Sequence, residues 1–268
     1  MLVKLFSLGA ILFLATPALA DTRFEGSFRQ GALVIGRTEP AATVRFADRT
    51  LRVAPDGRFA FGLGRDFEGD AVLDITLPGG GHETVRQTVA KGEWDVQRID
   101  GLPDKQVTPD EATLARIKEE RAQIAAARAT DRAAFEWEAG FAWPAKGRIS
   151  GVYGSQRILN GQPRQPHLGL DVAQPTGTPV HAAVAGVVVL AQKDLYFTGG
   201  TIIIDHGTGV QTLYAHLSRV DVKAGDAVTT ETVIGAIGAT GRVTGPHLHF
   251  GVAWYGTQLD PALVLPAQ

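Results

Sequence analysis

The chain has 268 residues and a mass of 28.4 kDa, which is enough to bury one large core or two smaller ones. Its formal net charge is -2 and its pI is about 6.4, with lysine and arginine scattered along the chain, so no basic tract predicts a nucleic-acid partner. It has no cysteine, which excludes disulfides, a thiolate nucleophile and thiolate zinc ligands.

The first twenty residues have the pattern of a secretory signal peptide. Lys4 precedes the apolar run LFSLGAILFLATPALA, which ends in the small-residue motif ALA. A membrane anchor is the alternative, but the run is shorter than the roughly 20 residues that a span needs. We therefore predict a signal peptide over residues 1–20, a mature chain that begins at Asp21 and no stable membrane span after cleavage.

The segment after the signal is predicted to form a small β-sandwich. Short runs alternate apolar and polar residues, as in TVRF, TLRV, RFAFGL and VLDITLP. The sequence Pro55-Asp56-Gly57 is predicted to turn the chain between the second and third runs. Several short strands at this spacing are typical of an antiparallel sandwich.

One α-helix is predicted next, over residues 109–137. The sequence TPDE at residues 108–111 has the pattern of a capping box with proline at the first helical position. The following residues are rich in Ala, Glu and Arg, and an apolar stripe is formed by Leu114, Ile117 and Ile124. This polar helix is expected to lie on the surface of its neighbours as a connector.

The rest of the chain is predicted to be a second all-β region, because Val- and Ile-rich runs alternate with glycines. A hairpin is expected there, with strands Thr201–Asp205 and Val210–His216. The predicted organisation is a signal peptide (residues 1–20), a small β-sandwich domain (21–105), a helical connector (106–140) and an all-β C-terminal domain (141–268).

Six of the seven histidines lie in this C-terminal domain, and two of them form the motif HLHF. Alternate side chains of a strand share a face, so His247 and His249 are predicted to point to one side, roughly 6.5–7 Å apart at the backbone. Leu248 and Phe250 would then point into the core. Two imidazoles on one face can share a metal, or one can bind the metal while the other acts beside it; two surface histidines are the alternative.

A second motif, PHLGLDVA, places His167 four residues before Asp171. If the segment is extended, this even spacing keeps both side chains on one face. Imidazole and carboxylate are common zinc ligands, and three protein ligands leave a fourth position for water, as in catalytic zinc sites. The spacing alone does not decide whether His247 or His249 completes such a set.

The third motif is TLYAHLS, in the second strand of the hairpin. Thr212, Tyr214 and His216 are predicted to alternate on one strand face, which would let His216 reach the sheet face that carries the other histidines. A core or surface histidine is the alternative. His181 and His206 are interpreted as structural, and His82 as an exposed loop residue.

Together these motifs resemble the lysostaphin-type, or LytM-domain, zinc metallopeptidases, which cut peptidoglycan cross-links. The resemblance rests on HLGLD, YAHLS and GPHLHFG in this order, and it extends over about residues 146–262. The expected fold is therefore a LytM-type antiparallel sheet domain, preceded by the small N-terminal β-sandwich and joined to it by one α-helix.

The resemblance also implies roles for individual residues. His167, Asp171 and His249 would bind one zinc ion per chain. His216 and His247 would be catalytic residues that flank the zinc-bound water and the scissile carbonyl.

Three residues upstream of the first motif are candidates for contacts with the substrate or the transition state, because some family members use a tyrosine in this region. They are Tyr153, Arg157 and Asn160.

The implied function is that of a secreted zinc endopeptidase acting on peptidoglycan stem peptides or cross-links. The alternatives are a non-catalytic LytM-domain activator that docks on cell-wall amidases, and a lectin-like wall adhesin. The sequence fills every position of the ligand and flanking-histidine pattern, which favours the enzyme. Peptidoglycan is the predicted partner, a monomer the predicted state and the periplasm the predicted location, since no basic wall-targeting tract is present.

Overall fold

The computed structural model describes residues 22–99, 110–159, 162–163 and 165–268. The predicted signal peptide and Asn160 lie outside the described residues. Among the described helices, none combines the length and the apolar character that crossing a membrane requires.

Two antiparallel sheets form the N-terminal part. Their strands, in chain order, are β1 (Arg23–Glu25), β2 (Leu33–Arg37), β3 (Thr43–Phe46), β4 (Arg49–Leu51), β5 (Arg58–Gly62), β6 (Asp70–Thr76) and β7 (His82–Thr88). One sheet has the order β1-β2-β5 and the other the order β4-β3-β6-β7. Phe46 and Phe61, one from each sheet, pack with their ring centroids 4.6 Å apart, and both are buried. The predicted small sandwich is thereby confirmed.

The Pro55-Asp56-Gly57 turn forms, but it does not join paired strands. It leads from β4 in one sheet to β5 in the other. Gly57 has a φ of +90°, and a Cβ at this position would lie 2.0 Å from the carbonyl oxygen of Thr38, so glycine is required. The turn therefore moves the chain between the two layers of the sandwich, where both strands bury their apolar residues in the shared core.

The α-helix, α1, spans Glu111–Arg128 and is shorter than predicted. Its N-cap is Asp110, whose carboxylate accepts a hydrogen bond from the backbone N–H of Thr113 at 2.7 Å. The predicted cap at Thr108 and the proline predicted at the first helical position lie outside the described residues. The predicted end at residue 137 was wrong, because α1 ends at Arg128 and residues 136–139 form a separate 3-10 turn. There Trp137 is buried and donates a hydrogen bond to Thr208, a tertiary contact that replaces further helix.

The remaining strands are mostly antiparallel. They are β8 (Val96–Ile99), β9 (Arg148–Gly151), β10 (Gln156–Leu159), β11 (Gln162–Pro163), β12 (Leu170–Ala173), β13 (Pro179–His181), β14 (Gly186–Leu195), β15 (Gly199–Asp205), β16 (Val210–Val220), β17 (Ala227–Val228), β18 (Val233–Ile237), β19 (Leu248–Trp254) and β20 (Thr257–Leu259). The large sheet has the order β17-β14-β15-β16-β19-β12-β9, with β18 and β20 attached and β13 paired to β18. The predicted hairpin is present as β15 and β16.

A small third sheet links the two parts of the chain. β8, which follows the N-terminal sandwich, pairs in parallel with β10, and β10 pairs with β11. The predicted domain boundaries at residues 105 and 140 stay predictions.

The large sheet has two differently covered faces. On one face Tyr214, Phe250 and Val252 are fully buried in the main core. On the other, Ile203 and Leu213 pack with Ala127 and Ile124 of α1. The helix thus lies on the sheet surface, as its polar composition predicted, and it covers only part of this face.

Candidate metal centre

Two of the predicted metal ligands come from neighbouring strands. Asp171 in β12 lies directly opposite His249 in β19 in the antiparallel register, so both side chains project from the same face. Their strand neighbours Leu248 and Phe250 are fully buried on the opposite face, as the alternation predicted.

The third ligand, His167, lies in the loop before β12. Its backbone N–H donates to the carbonyl of Ser155 and its carbonyl accepts from the N–H of Gly154, both at 2.8 Å. Gly169 lets the loop pass close to β19, because a Cβ there would lie 2.6 Å from Cε1 of His249. The backbone therefore brings the ring of His167 over the Asp171–His249 pair.

The three donor atoms form a nearly equilateral triangle. Nε2 of His167 lies 3.0 Å from Oδ1 of Asp171 and 3.0 Å from Nδ1 of His249, and Nδ1 of His249 lies 2.9 Å from Oδ1 of Asp171. All three side chains are half-buried. In a tetrahedral zinc site with bonds of about 2.0–2.1 Å, ligand atoms are separated by about 3.3 Å, so these residues fit a zinc ion with little adjustment.

Hydrogen bonding fixes which nitrogen of His167 faces the cluster. Its Nδ1 lies 2.9 Å from the carbonyl oxygen of Val152 and must be the donor, because a carbonyl only accepts. In the neutral ring Nε2 then carries a lone pair, directed at a carboxylate oxygen and at another imidazole nitrogen. Such a convergence of lone pairs is repulsive unless a cation or a proton lies between them.

The electrostatics of the cluster agree with this interpretation. Burial alone would raise the pKa of Asp171, but its contacts with His167 and His249 hold that pKa well below the usual range. Burial lowers the pKa of His249, which favours the neutral form that binds metals. Burial also lowers the pKa of His167, yet the carboxylate outweighs it and the net pKa is raised, so the cluster attracts positive charge.

His216 lies beside this cluster, although not for the predicted reason. Tyr214 is paired with Phe250 and is buried in the core, so regular alternation would have directed His216 into the core as well. Instead, His216 has a φ of +65°, which breaks the alternation, and its backbone N–H donates to Thr198. Its ring centroid lies 4.9 Å from that of His247 and 6.0 Å from that of His249.

Backbone carbonyls also orient the two flanking histidines. Nδ1 of His216 lies 3.0 Å from the carbonyl oxygen of Thr240, and Nδ1 of His247 lies 2.8 Å from that of Gly245. Both Nδ1 atoms donate, which leaves Nε2 of each neutral ring free to accept a proton. Burial lowers the pKa of His216 to about 4, so this ring is neutral at neutral pH.

The structure separates the two members of the H-x-H motif. Nε2 of His247 lies 3.8 Å from Oδ1 of Asp171, whereas Nδ1 of His249 lies 2.9 Å from the same oxygen. His249 therefore belongs to the ligand triangle and His247 lies at its edge, which the spacing in sequence could not decide.

Of the three upstream candidates, only Tyr153 has a side chain that the structure describes. The hydroxyl of Tyr153 donates to the carbonyl of Gln258, and its ring is buried against Trp94 of the N-terminal part, so the predicted contact with a transition state is not supported. Burial raises the pKa of this hydroxyl. Arg157 belongs to β10, and the prediction for its side chain stays a prediction, as does that for Asn160.

The carbonyls of Val152, Thr240 and Gly245 were missed by sequence reasoning. They orient three of the four imidazoles, but a backbone carbonyl is present at every residue, so no side-chain pattern marks them. Only the path of the chain selects them.

The remaining histidines lie apart from the cluster. His181 belongs to β13, and its backbone N–H donates to the carbonyl of Pro144. His82 is exposed as predicted, but it begins β7 and is not in a loop. His206 is fully buried, with Nδ1 2.7 Å from the carbonyl of Ala185 and Nε2 2.8 Å from Oγ1 of Thr212.

We predict that His206 makes the fold sensitive to acid. Burial lowers its pKa from 6.5 to about 4, so its contribution to stability is complete above pH 6.5 and is lost as the pH falls from 6.5 towards 4. The loss is expected to reach about 3 kcal/mol. Urea unfolding across this range should show a smaller pH slope for His206→Gln than for the unmodified protein, with His82→Gln as the control. Equal slopes for all three proteins would contradict the prediction.

A β-sheet domain that gathers histidine and aspartate side chains in this chain order is similar to the LytM-type metallopeptidase domains. Residues 165–261 match the family model described as Peptidase family M23. The chain therefore contains a region that is similar to peptidase family M23.

Comparison with other proteins supports this assignment. Over 106 residues the chain is 44% identical to the peptidoglycan DD-endopeptidase ShyA of Vibrio cholerae, a match that covers 39% of this chain and 24% of ShyA. Over 99 residues it is 44% identical to the DD-carboxypeptidase/endopeptidase Mpg of Neisseria meningitidis, covering 37% of this chain and 22% of Mpg. The chain thus spans about a quarter of the length of these relatives.

A crystal structure assigned to peptidase M23 from Pseudomonas aeruginosa is similar over a longer region. It has a TM-score of 0.70 and 27% identity, covering 89% of this chain and 95% of that one. The similarity therefore extends beyond the peptidase domain to the N-terminal sheets.

Proposed function

We propose that this protein is a zinc-dependent endopeptidase that hydrolyses peptide bonds in peptidoglycan stem peptides or cross-links. The observation that carries the proposal is the triangle of His167, Asp171 and His249, with two further imidazoles beside it. A structural metal site would not need these additional proton-accepting groups.

The donor set supports zinc as the metal. Two imidazoles and one carboxylate are among its usual ligands, and three protein ligands leave one position open. When bound, zinc would polarise the scissile carbonyl and lower the pKa of a water molecule towards about 7. The carbonyl of Val152 would keep Nε2 of His167 in the tautomer that ligation requires.

The flanking histidines would carry the proton transfers. His216 is neutral at neutral pH and can accept a proton at Nε2, because its Nδ1–H is engaged by Thr240. His247 is oriented in the same way by Gly245, and its ring lies 4.9 Å from that of His216. It is therefore suited to stabilise the oxyanion or to protonate the leaving amine. The H-E-x-x-H motif of other metalloproteases is absent from the sequence, so histidine takes the role that glutamate has in those enzymes.

The identity of the relatives supports peptidoglycan as the substrate. ShyA is a peptidoglycan DD-endopeptidase, and Mpg is a DD-carboxypeptidase/endopeptidase. We propose that the bond is a D-alanyl–diaminopimelate cross-link, and that the protein acts as a monomer in the periplasm after removal of its signal peptide. A non-catalytic amidase activator is disfavoured, because that role needs neither the complete ligand triangle nor the two oriented histidines.

Digestion of purified sacculi tests the proposal. The protein is expected to release shorter muropeptides whose new termini, identified by mass spectrometry, show a cleaved D-alanyl–diaminopimelate bond. The metal content of the same preparation is expected to be one zinc per chain. Intact cross-links after incubation with zinc-loaded protein would overturn the proposed activity, and a different new terminus would overturn the proposed bond.

A further inference from the structure

Helix α1 lies on the same face of the large sheet as the metal centre. On β19 this face carries His249, Gly251 and Ala253, which lie opposite Ala215, Leu213 and Gln211 of β16. The helix is attached here, because Gln211 donates to the carbonyl of Ala127 and to Thr130 at 2.9 and 2.8 Å. The surface that begins at the metal ligands therefore continues towards α1.

Two arginines of α1 face a groove at this end of the sheet. Arg121 and Arg128 are seven residues, or about two turns, apart and share one side of the helix. Together with Ile124 and Tyr255 they line a groove with a volume of about 490 Å³.

Arg128 lies on the side of this groove that is nearer to the metal centre. It also lines a narrow space against Gly251 and Ala253. Gly251 is two residues from His249 on the same strand face, a separation of about 7 Å. A peptide whose scissile bond lies at the metal centre would therefore reach Arg128 within a few residues.

The charges of these two arginines are not neutralised by an acidic side chain of the described residues. Among the described residues, neither Arg121 nor Arg128 contacts a carboxylate, whereas Arg116 of the same helix is paired with Glu120 and with Asp194. Burial without a compensating partner lowers the pKa of Arg128. A partly buried guanidinium without an anion is unfavourable, and binding an anion would relieve this cost.

We infer that Arg121 and Arg128 form a subsite for a carboxylate group of the peptide substrate. The inference rests on the proposed function, because it assumes that the groove leads a peptide to the metal centre. Guanidinium groups match carboxylates in a planar, bidentate geometry, and peptidoglycan stem peptides carry several free carboxylates. Arg128, being closer to His249, is the main contact, and exposed Arg121 adds a second charge.

Equilibrium binding tests the subsite separately from catalysis. The full chain carrying His216→Ala, which should not cleave the ligand, is titrated with synthetic L-Ala-γ-D-Glu-diaminopimelate-D-Ala and with the same peptide amidated at every carboxylate. Addition of Arg128→Ala is expected to weaken binding of the free-carboxylate peptide by about tenfold to a hundredfold. Binding of the amidated peptide, already weaker, should not change. Arg121→Ala should have a smaller effect of the same kind.

The control is Arg86→Ala, which removes an equal charge from the exposed strand β7. It should leave both affinities unchanged. If Arg128→Ala does not fold, Arg128→Gln keeps a polar side chain without the charge, and the difference between the two peptides decides. The proposed subsite would be overturned if Arg128→Ala weakened the binding of both peptides equally. It would also be overturned if Arg128→Ala bound both peptides as tightly as Arg86→Ala does. If sacculi are not cleaved but the carboxylate dependence persists, only the proposed peptidase activity fails.

Discussion

Replacing His216 by alanine is expected to reduce the rate of peptide hydrolysis by about a hundredfold to ten-thousandfold while zinc remains bound. The ring of His216 accepts protons at Nε2 and lies beside the metal ligands, but it is not one of the three atoms of the ligand triangle. The substitution should therefore lower kcat through proton transfer and leave the metal affinity nearly unchanged. Muropeptide hydrolysis and zinc content, measured on the same preparation, check both parts.

His82→Ala is the matched control, because His82 is exposed on β7 in the N-terminal sandwich. It should retain both activity and zinc. Full activity of His216→Ala on purified sacculi would show that the assigned proton acceptor is wrong. Loss of zinc from the same variant would instead show that His216 is part of the metal site.

Replacing Asp171 by alanine is expected to remove both the metal and the activity. Asp171 supplies the only carboxylate of the triangle, and its oxygen Oδ1 lies within 3.0 Å of both imidazole ligands. Because the loss of an outer-shell partner already weakens metal binding by about 10–100-fold, the loss of a ligand should weaken it by more than about a hundredfold. Zinc affinity, measured by competition with a chelator, tests this directly.

Removal of zinc from the unmodified protein should have the same effect but should be reversible. Activity is expected to disappear on dialysis against a chelator and to return when zinc is added, whereas Asp171→Ala should stay inactive under both conditions. Asp221→Ala is a control that removes a carboxylate paired with Arg219 outside the triangle. Retention of one tightly bound zinc per chain by Asp171→Ala would contradict the assigned ligand set.

The fold was predictable where a local pattern had one interpretation. The alternating runs of the N-terminal part form strands, and the β15–β16 hairpin lies where glycine and strand patterns placed it. The end of α1 was not predictable, because the residues after Arg128 are compatible with helix on propensity alone. After Arg128 the chain makes contacts with distant segments instead, such as the hydrogen bond from buried Trp137 to Thr208.

In the candidate site, too, some features were predictable from the sequence and others were not. Period-two alternation correctly directed Leu248 and Phe250 into the core and the two histidines of HLHF away from it. The same rule would have directed His216 to the core face of the sheet, because its neighbour Tyr214 faces the core. A positive φ at His216 reverses this, and such a backbone conformation at a non-glycine residue has no signature in the sequence.

The sequence by itself determined the chemistry available to this protein: imidazoles and carboxylates in three motifs, with no cysteine to compete for a metal. Only the tertiary structure decided which of these groups meet. The pairing of β12 with β19 sets Asp171 against His249, and the backbone carbonyls direct Nε2 of His167 towards the triangle and leave Nε2 of His216 and His247 free. The reason is physical: donor distances and ring orientations depend on strand register and loop path, which arise from contacts between residues far apart in the chain.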